Sequence, residues 1–110
     1  MSALHYEVHG PSDAAATVLL SSGLGGSAGF WQPQLGALFF AGYRVIAYDQ
    51  RGTGRSPAAL PEAYAIADMA RDVIEILDAT NTSQCHFAGH ALGGLVGLQL
   101  ALGAPSRIAS

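Results

Sequence analysis

The sequence predicts an α/β domain in which a mostly parallel sheet is covered by helices on both faces. Three observations predict it. β-rich apolar runs alternate along the chain with segments of helical period. The runs are apolar at successive positions, as in Val18-Leu19-Leu20, so both faces of the sheet need cover. A short run at Gln84 to Ala88 passes into a strongly apolar helical stretch through a turn with glycine on either side, Gly89-His90-Ala91-Leu92-Gly93.

Each element follows from its own residues. Leu4 to Val8 reads as an opening strand, and Thr17 to Ser22 and Arg44 to Tyr48 as two more, bounded by Gly, Pro or Asp. Phe30 to Phe40 supplies a crossover helix, with Pro33 tolerated in its first turn and Gly42 suited to ending it. Pro57 to Pro61 reads as a loop. Ile66, Met69, Ala70, Val73, Ile74 and Leu77 recur at i, i+3, i+4, i+7, i+8 and i+11, an amphipathic helix with Asp68 in its favourable first turn. Gln84 to Ala88 is a further strand and Leu92 to Leu102 a further helix, after which Arg107-Ile108-Ala109 opens another strand. Right-handed crossovers connect parallel neighbours. A strand leading into such a turn normally lies centrally, so residues 1–110 are expected to be the N-terminal part of one larger domain. On that expectation the Gln84 to Ala88 strand lacks its next neighbour, and the chain alone exposes apolar surface and self-associates.

Composition narrows the function classes. Half of the 110 residues are hydrophobic and 12% are charged, which is the make-up of a globular core. The formal net charge is -3, and the five basic residues are scattered, which argues against a nucleic-acid surface. No apolar run reaches the ~18 residues needed to cross a bilayer, and the N-terminus lacks the pattern of a secretory signal. Cys85 stands alone, so it forms no internal disulfide and is expected to be a small buried hydrophobe in a cytoplasmic protein. His5, His9, His86 and His90 are too scattered for a metal site, and neither metal nor cofactor is expected.

Three strings carry the chemistry. Ser21-Ser22-Gly23-Leu24-Gly25-Gly26-Ser27 is a glycine-rich turn whose amides can face an anion or a developing oxyanion. It also fits a relaxed dinucleotide fingerprint, Gly23-x-Gly25-x-x-Ala28 with Asp49 ending the next strand. Against that reading, the helix begins only near Phe30 to Gln34, beyond the glycines where a pyrophosphate needs it. Asp49-Gln50-Arg51-Gly52-Thr53-Gly54, followed by Ser56, is expected to brace loops through Asp49 and Arg51, with direct substrate contact by Arg51 as the alternative. The third string, Gly89 to Gly93, has the spacing of the G-x-S-x-G nucleophile elbow with alanine in the place of serine. Here His90 is expected to hold the turn or line a pocket, and Phe30 and Trp31 to form core or pocket wall. His86 reads as structural, and His5 and His9 as edge or surface residues.

In this order the three strings resemble the α/β-hydrolase superfamily along nearly the whole chain. With Leu98-Gln99-Leu100-Ala101-Leu102 behind the elbow, they look more narrowly like the RutD family, hydrolases of aminoacrylate or carbamate in uracil degradation, in which alanine at the elbow is natural. The resemblance implies an N-terminal part of an α/β-hydrolase fold, with an oxyanion hole from the backbone N–H groups of Leu24 and Leu92 and Ala91 at the elbow. Gly23, Gly25, His90 and Trp31 would line a pocket for a small-molecule substrate. Leu92 to Ser110 contains no Asp, Glu or His, so the acid and histidine of a triad are not among these residues. Water activated by groups elsewhere would then replace a serine. Two other readings stand beside this one: a serine hydrolase whose elbow serine was replaced by design, and a non-catalytic scaffold used for binding. The sequence leaves self-association into a homo-oligomer open.

Overall fold

The computed structural model describes residues 4–23, 26–53, 56 and 63–110. Four strands form one sheet: β1 (Tyr6–His9), β2 (Thr17–Ser21), β3 (Arg44–Tyr48) and β4 (His86–Gly89), in the order β1-β3-β2-β4. β2 pairs in parallel with both β3 and β4, whereas β1 runs antiparallel along the outer edge of β3. A hairpin-length connection cannot bring the chain back in parallel, so each parallel pair is joined through a helix.

Alternation along the central strands divides the core in two. Val18, Leu20, Val45 and Ala47 point to one face, where Leu35 and Leu38 of α1 (Gln32–Phe40) and Trp31 cover them. Leu19, Ile46 and Tyr48 point to the other, under α2 (Ile66–Ala79) and α3 (Leu92–Gly103), which contribute Val73, Ile76, Leu77, Val96 and Leu100. The helices therefore cover both faces, as the unbroken apolar strands require.

Helix ends explain the boundaries. A short 3-10 turn, Ala28–Trp31, leads into α1, with Pro33 in the first α-helical turn. At its far end the Gly42 N–H donates to Phe39 O (3.0 Å) and the Tyr43 N–H to Leu38 O (3.2 Å), with Gly42 at φ +90°. This pair of bonds satisfies carbonyls that the helix leaves open. α2 ends in the same way at Asn81 (φ +54°), through Asn81 N–H to Asp78 O and Thr82 N–H to Leu77 O. At its start the Asp68 carboxylate accepts the Ala65 N–H at 2.8 Å.

The strand at Gln84 to Ala88 was expected to lack an outer neighbour. Instead, residues beyond a second 3-10 turn (Pro105–Arg107) run beside it in parallel. Cys85 N–H donates to Arg107 O (3.0 Å), Ala109 N–H to Cys85 O (2.7 Å) and Phe87 N–H to Ser110 O (2.8 Å). The turn at Pro105 reverses the chain just far enough to bring Ile108 against Cys85. β4 itself starts two residues later than its sequence suggests, because its ladder with β2 begins at the Val18–His86 pair. β1 likewise begins at Tyr6, where its ladder with Tyr48 starts, and Leu4 is buried in the core beyond it. The outer face of α3 leaves Leu95, Leu98 and Leu102 exposed. The loop expected at Pro57 to Pro61 lies outside the described residues.

Candidate active site

Ala91 sits between the end of β4 and the first residue of α3 with φ +54° and ψ -116°. An alanine gains nothing from this conformation, and the strain persists only because the surroundings over-determine it. The His90 N–H donates to Ser21 O of β2 at 2.9 Å, fixing the turn to the sheet. Gly93 N–H to His90 O and Gly94 N–H to Ala91 O, both 2.9 Å, then start the helix at once.

The two flanking glycines are required by contact. A Cβ on Gly93 would lie 2.2 Å from Ser21 O, and one on Gly89 would lie 2.5 Å from the Gly93 carbonyl group. The helix start is thus pressed onto β2 and β4 with no room for side chains, which is the local reason for glycine four residues apart. Ala91 is exposed at the tip of this turn.

Across from it stands the glycine turn after β2. A Cβ on Gly23 would be 3.4 Å from the Ala91 methyl and 3.3 Å from His90 Nδ1, so the two strings that the sequence singles out meet here. The turn closes through Gly26 N–H to Gly23 O at 2.8 Å. Leu24 and Gly25 lie outside the described residues. Leu92 is the first residue of α3, in the turn whose amides find no acceptor within a helix.

His90 holds the turn through its backbone, which donates to Ser21 and accepts from Gly93, while its exposed imidazole lies on the Phe30 ring, 4.8 Å between centroids at 30°. Phe30 meets Trp31 edge-on at 5.2 Å, and Trp31 packs on the Val18–Leu35 side of the core. Trp31 therefore lies behind Phe30 and is linked to the elbow through it. Trp31 Nε1 and Ser22 Oγ are buried without a hydrogen-bond partner among the described residues.

The Asp49-Gln50-Arg51 string braces its surroundings. Asp49 Oδ1 accepts the Ala28 N–H at 2.7 Å, and the residue is 1% exposed. It is thereby committed to the protein, and α1 starts at Gln32, well past the glycines, so the dinucleotide reading loses both its ribose acid and its helix terminus. Gln50 Nε2 donates to Ser22 O at 2.7 Å. Arg51 makes a two-pronged pair with Asp72 of α2, Nε to Oδ2 at 3.1 Å and Nη2 to Oδ1 at 2.7 Å. The Tyr64 hydroxyl also donates to Asp72, and burial together with that carboxylate raises the phenol above its usual range. Sequence reasoning named Gln50 without a role and passed over Tyr64 and Asp72. Position immediately after a strand signals the first, whereas the Asp72 pair spans 21 residues and is set by packing alone.

The remaining polar candidates are structural. Cys85 is buried, and burial pushes its thiol up to about 11, away from thiolate chemistry. His9 and His5 flank Glu7 on the edge strand, at 3.1 and 3.7 Å, and His86 Nδ1 meets Ser110 Oγ at 2.8 Å. Among the described residues no group of His, Cys, Asp and Glu could hold a metal ion, and no helix is long and apolar enough to cross a membrane.

A strained strand-to-helix turn packed against a glycine turn at the strand ends is the layout of a hydrolase site. Residues 16–110 match the family model of the alpha/beta hydrolase fold, and the chain belongs to that family. It is 79% identical over 107 residues to a protein of Variovorax paradoxus (strain S110) named "Putative carbamate hydrolase RutD", and 56% identical over 108 residues to one of the same name from Stutzerimonas stutzeri (strain A1501). In both cases 97% of this chain is covered, and the chain spans 40% of the relative's length. Among solved structures it resembles the enol-lactonase of Burkholderia xenovorans LB400, with a TM-score of 0.88 and 36% identity over 96% of this chain and 40% of that one. A hydrolase from Pseudomonas aeruginosa PA01 gives the same TM-score at 41% identity, over 96% of this chain and 38% of that one.

Proposed function

We propose that these residues form part of a hydrolase that releases ammonia from a small carbamate or an aminoacrylate in uracil degradation, with water and not a side chain as the nucleophile. The observation that carries this reading is the elbow itself. Ala91 keeps the strained geometry that serves to present a nucleophile, yet it carries only a methyl group. Likeness to proteins named as carbamate hydrolases supports the substrate class.

In this mechanism the backbone N–H groups of Leu92 and Leu24 would receive the negative charge that develops on the carbonyl oxygen of a carbamate. In the imine route the electron pair moves instead to nitrogen, which takes up a proton. Gly23 lets the turn come close to the elbow, and His90 lines the pocket with Phe30, which Trp31 backs. The alanine leaves space for a water molecule, which an acid–histidine pair outside these 110 residues deprotonates. For a carbamate, water adds to the carbonyl carbon and the C–N bond then breaks, giving ammonia and bicarbonate. For the imine tautomer of an aminoacrylate, water adds to the imine carbon and the adduct expels ammonia, leaving an aldehyde. Neither route passes through an acyl-enzyme, so neither needs the missing serine. The reading places the protein in the cytoplasm, where free Cys85 stays reduced.

The test is ammonia release by the full-length protein from carbamate and from freshly generated aminoacrylate. Turnover of either above the buffer rate supports the proposal. A protein that binds these compounds without converting them is a scaffold and contradicts it.

A further inference from the structure

The glycine turn is held at both ends by two consecutive residues. Gln50 donates its side-chain N–H to Ser22 O, one residue before Gly23, and Asp49 accepts the N–H of Ala28, just after Ser27. Both bonds are 2.7 Å long, and both side chains are buried, with Gln50 8% and Asp49 1% exposed. The pair follows directly on β3, which lies beside β2 in register, so one rigid strand end reaches across to the loop of its neighbour. That strand end is itself fixed. Asp49 N–H donates to His5 O, Ser56 Oγ donates to Asp49 O, and Arg51 locks onto Asp72.

We propose that Gln50 is a positioning residue for the hydrolytic site, fixing with Asp49 the two ends of the glycine turn, at Ser22–Gly23 and at Ala28, beside the Ala91 elbow before substrate arrives. The inference rests on reading that turn as half of an oxyanion hole. Gly23 faces Ala91 and His90 so closely that a Cβ on it would be in contact with both, so a shift at Ser22 moves the wall of the site directly. A site with no nucleophilic side chain depends the more on dipoles already aimed at the developing charge. Misplacement by about 1 Å can cost on the order of 10²-fold in rate. Burial adds to the specificity of the arrangement, because a Ser22 carbonyl without its donor has no water to turn to.

Gln50→Met keeps the volume and removes the donor, and Gln50→Glu keeps the shape and sets a carboxylate against the carbonyl oxygen. Two readouts on the full-length protein decide the matter: steady-state ammonia release with carbamate as the probe, and hydrogen exchange of residues 22–28 against β3 and α2. The expected result is a fall in kcat of about 10-fold or more with KM changed less than about 2-fold, and faster exchange confined to 22–28. Unchanged kcat overturns the proposal, as does a loss of activity that merely follows exchange raised throughout the sheet. If the unaltered protein releases no ammonia from carbamate or from aminoacrylate, the proposed function fails separately. Exchange then decides the clamp alone, and an unchanged turn in the variant that folds overturns it.

Discussion

At the residue scale, Gly93 and Gly36 make opposite demands, although both lie in helices. A Cβ at Gly93 would meet Ser21 O at 2.2 Å, while one at Gly36 would meet nothing within 4 Å. Gly93→Ala is expected to destabilise by roughly 3 kcal/mol, since backbone must move, whereas Gly36→Ala should stabilise by about 0.5–1 kcal/mol through the unfolded chain. Denaturant midpoints at constant slope check both. The buried pair Tyr48 and Cys85 sets a second residue-scale expectation. Burial holds Tyr48 up at about 12 and Cys85 at about 11, above their unfolded values of 10.0 and 9.0. The folded state then keeps protons that the unfolded state releases, so this stability is fully present below about pH 9 and is lost as pH rises through about 11 to 12. Each group contributes on the order of 2–3 kcal/mol of that loss. Unfolding followed from about pH 8 to about 12 checks it, and Tyr48→Phe should flatten the alkaline fall while sacrificing the 2.7 Å bond to Ser21 Oγ.

At the element scale, what was legible in the sequence is what local chemistry decides. β3 runs from Arg44 to Tyr48 as its residues suggest, since Gly42 ends the helix before it and Asp49 turns the chain after it. α2 carries its apolar period from Ile66 to Leu77, with Asp68 at its start. β4 was misplaced by two residues because its limits are set by where β2 can pair, a fact about another strand. The elbow was readable from glycine spacing and Asp49 as a brace from its place after a strand, whereas the bond of Gln50 to the opposing turn was not. Gln50 meets Ser22 O only once β3 pairs with β2, and Arg51 and Tyr64 meet Asp72 only once α2 packs beside the loop after β3. Arg51→Ala tests that packing. It leaves the Asp72 side chain, 8% exposed, without its two-pronged partner, and it should cost about 2–3 kcal/mol in thermal unfolding. A loss below about 0.5 kcal/mol would mean that the loop is held without α2.

At the scale of the whole molecule, the sheet brings two glycine turns from separate strands to one end and sets a bare methyl between them. The rest of the fold serves that placement: β2 lies between β3 and β4, so the loops that follow all three strands gather on one edge. The central claim is that this elbow works with water, so adding a nucleophile gains little. Ala91→Ser in the full-length protein, assayed for ammonia release from carbamate and from aminoacrylate, tests it most directly. The account predicts turnover by the alanine protein and no large gain from serine, with at most a weak new esterase activity; a gain of ~10²-fold or more on either substrate, the scale of a positioned catalytic group, would contradict it.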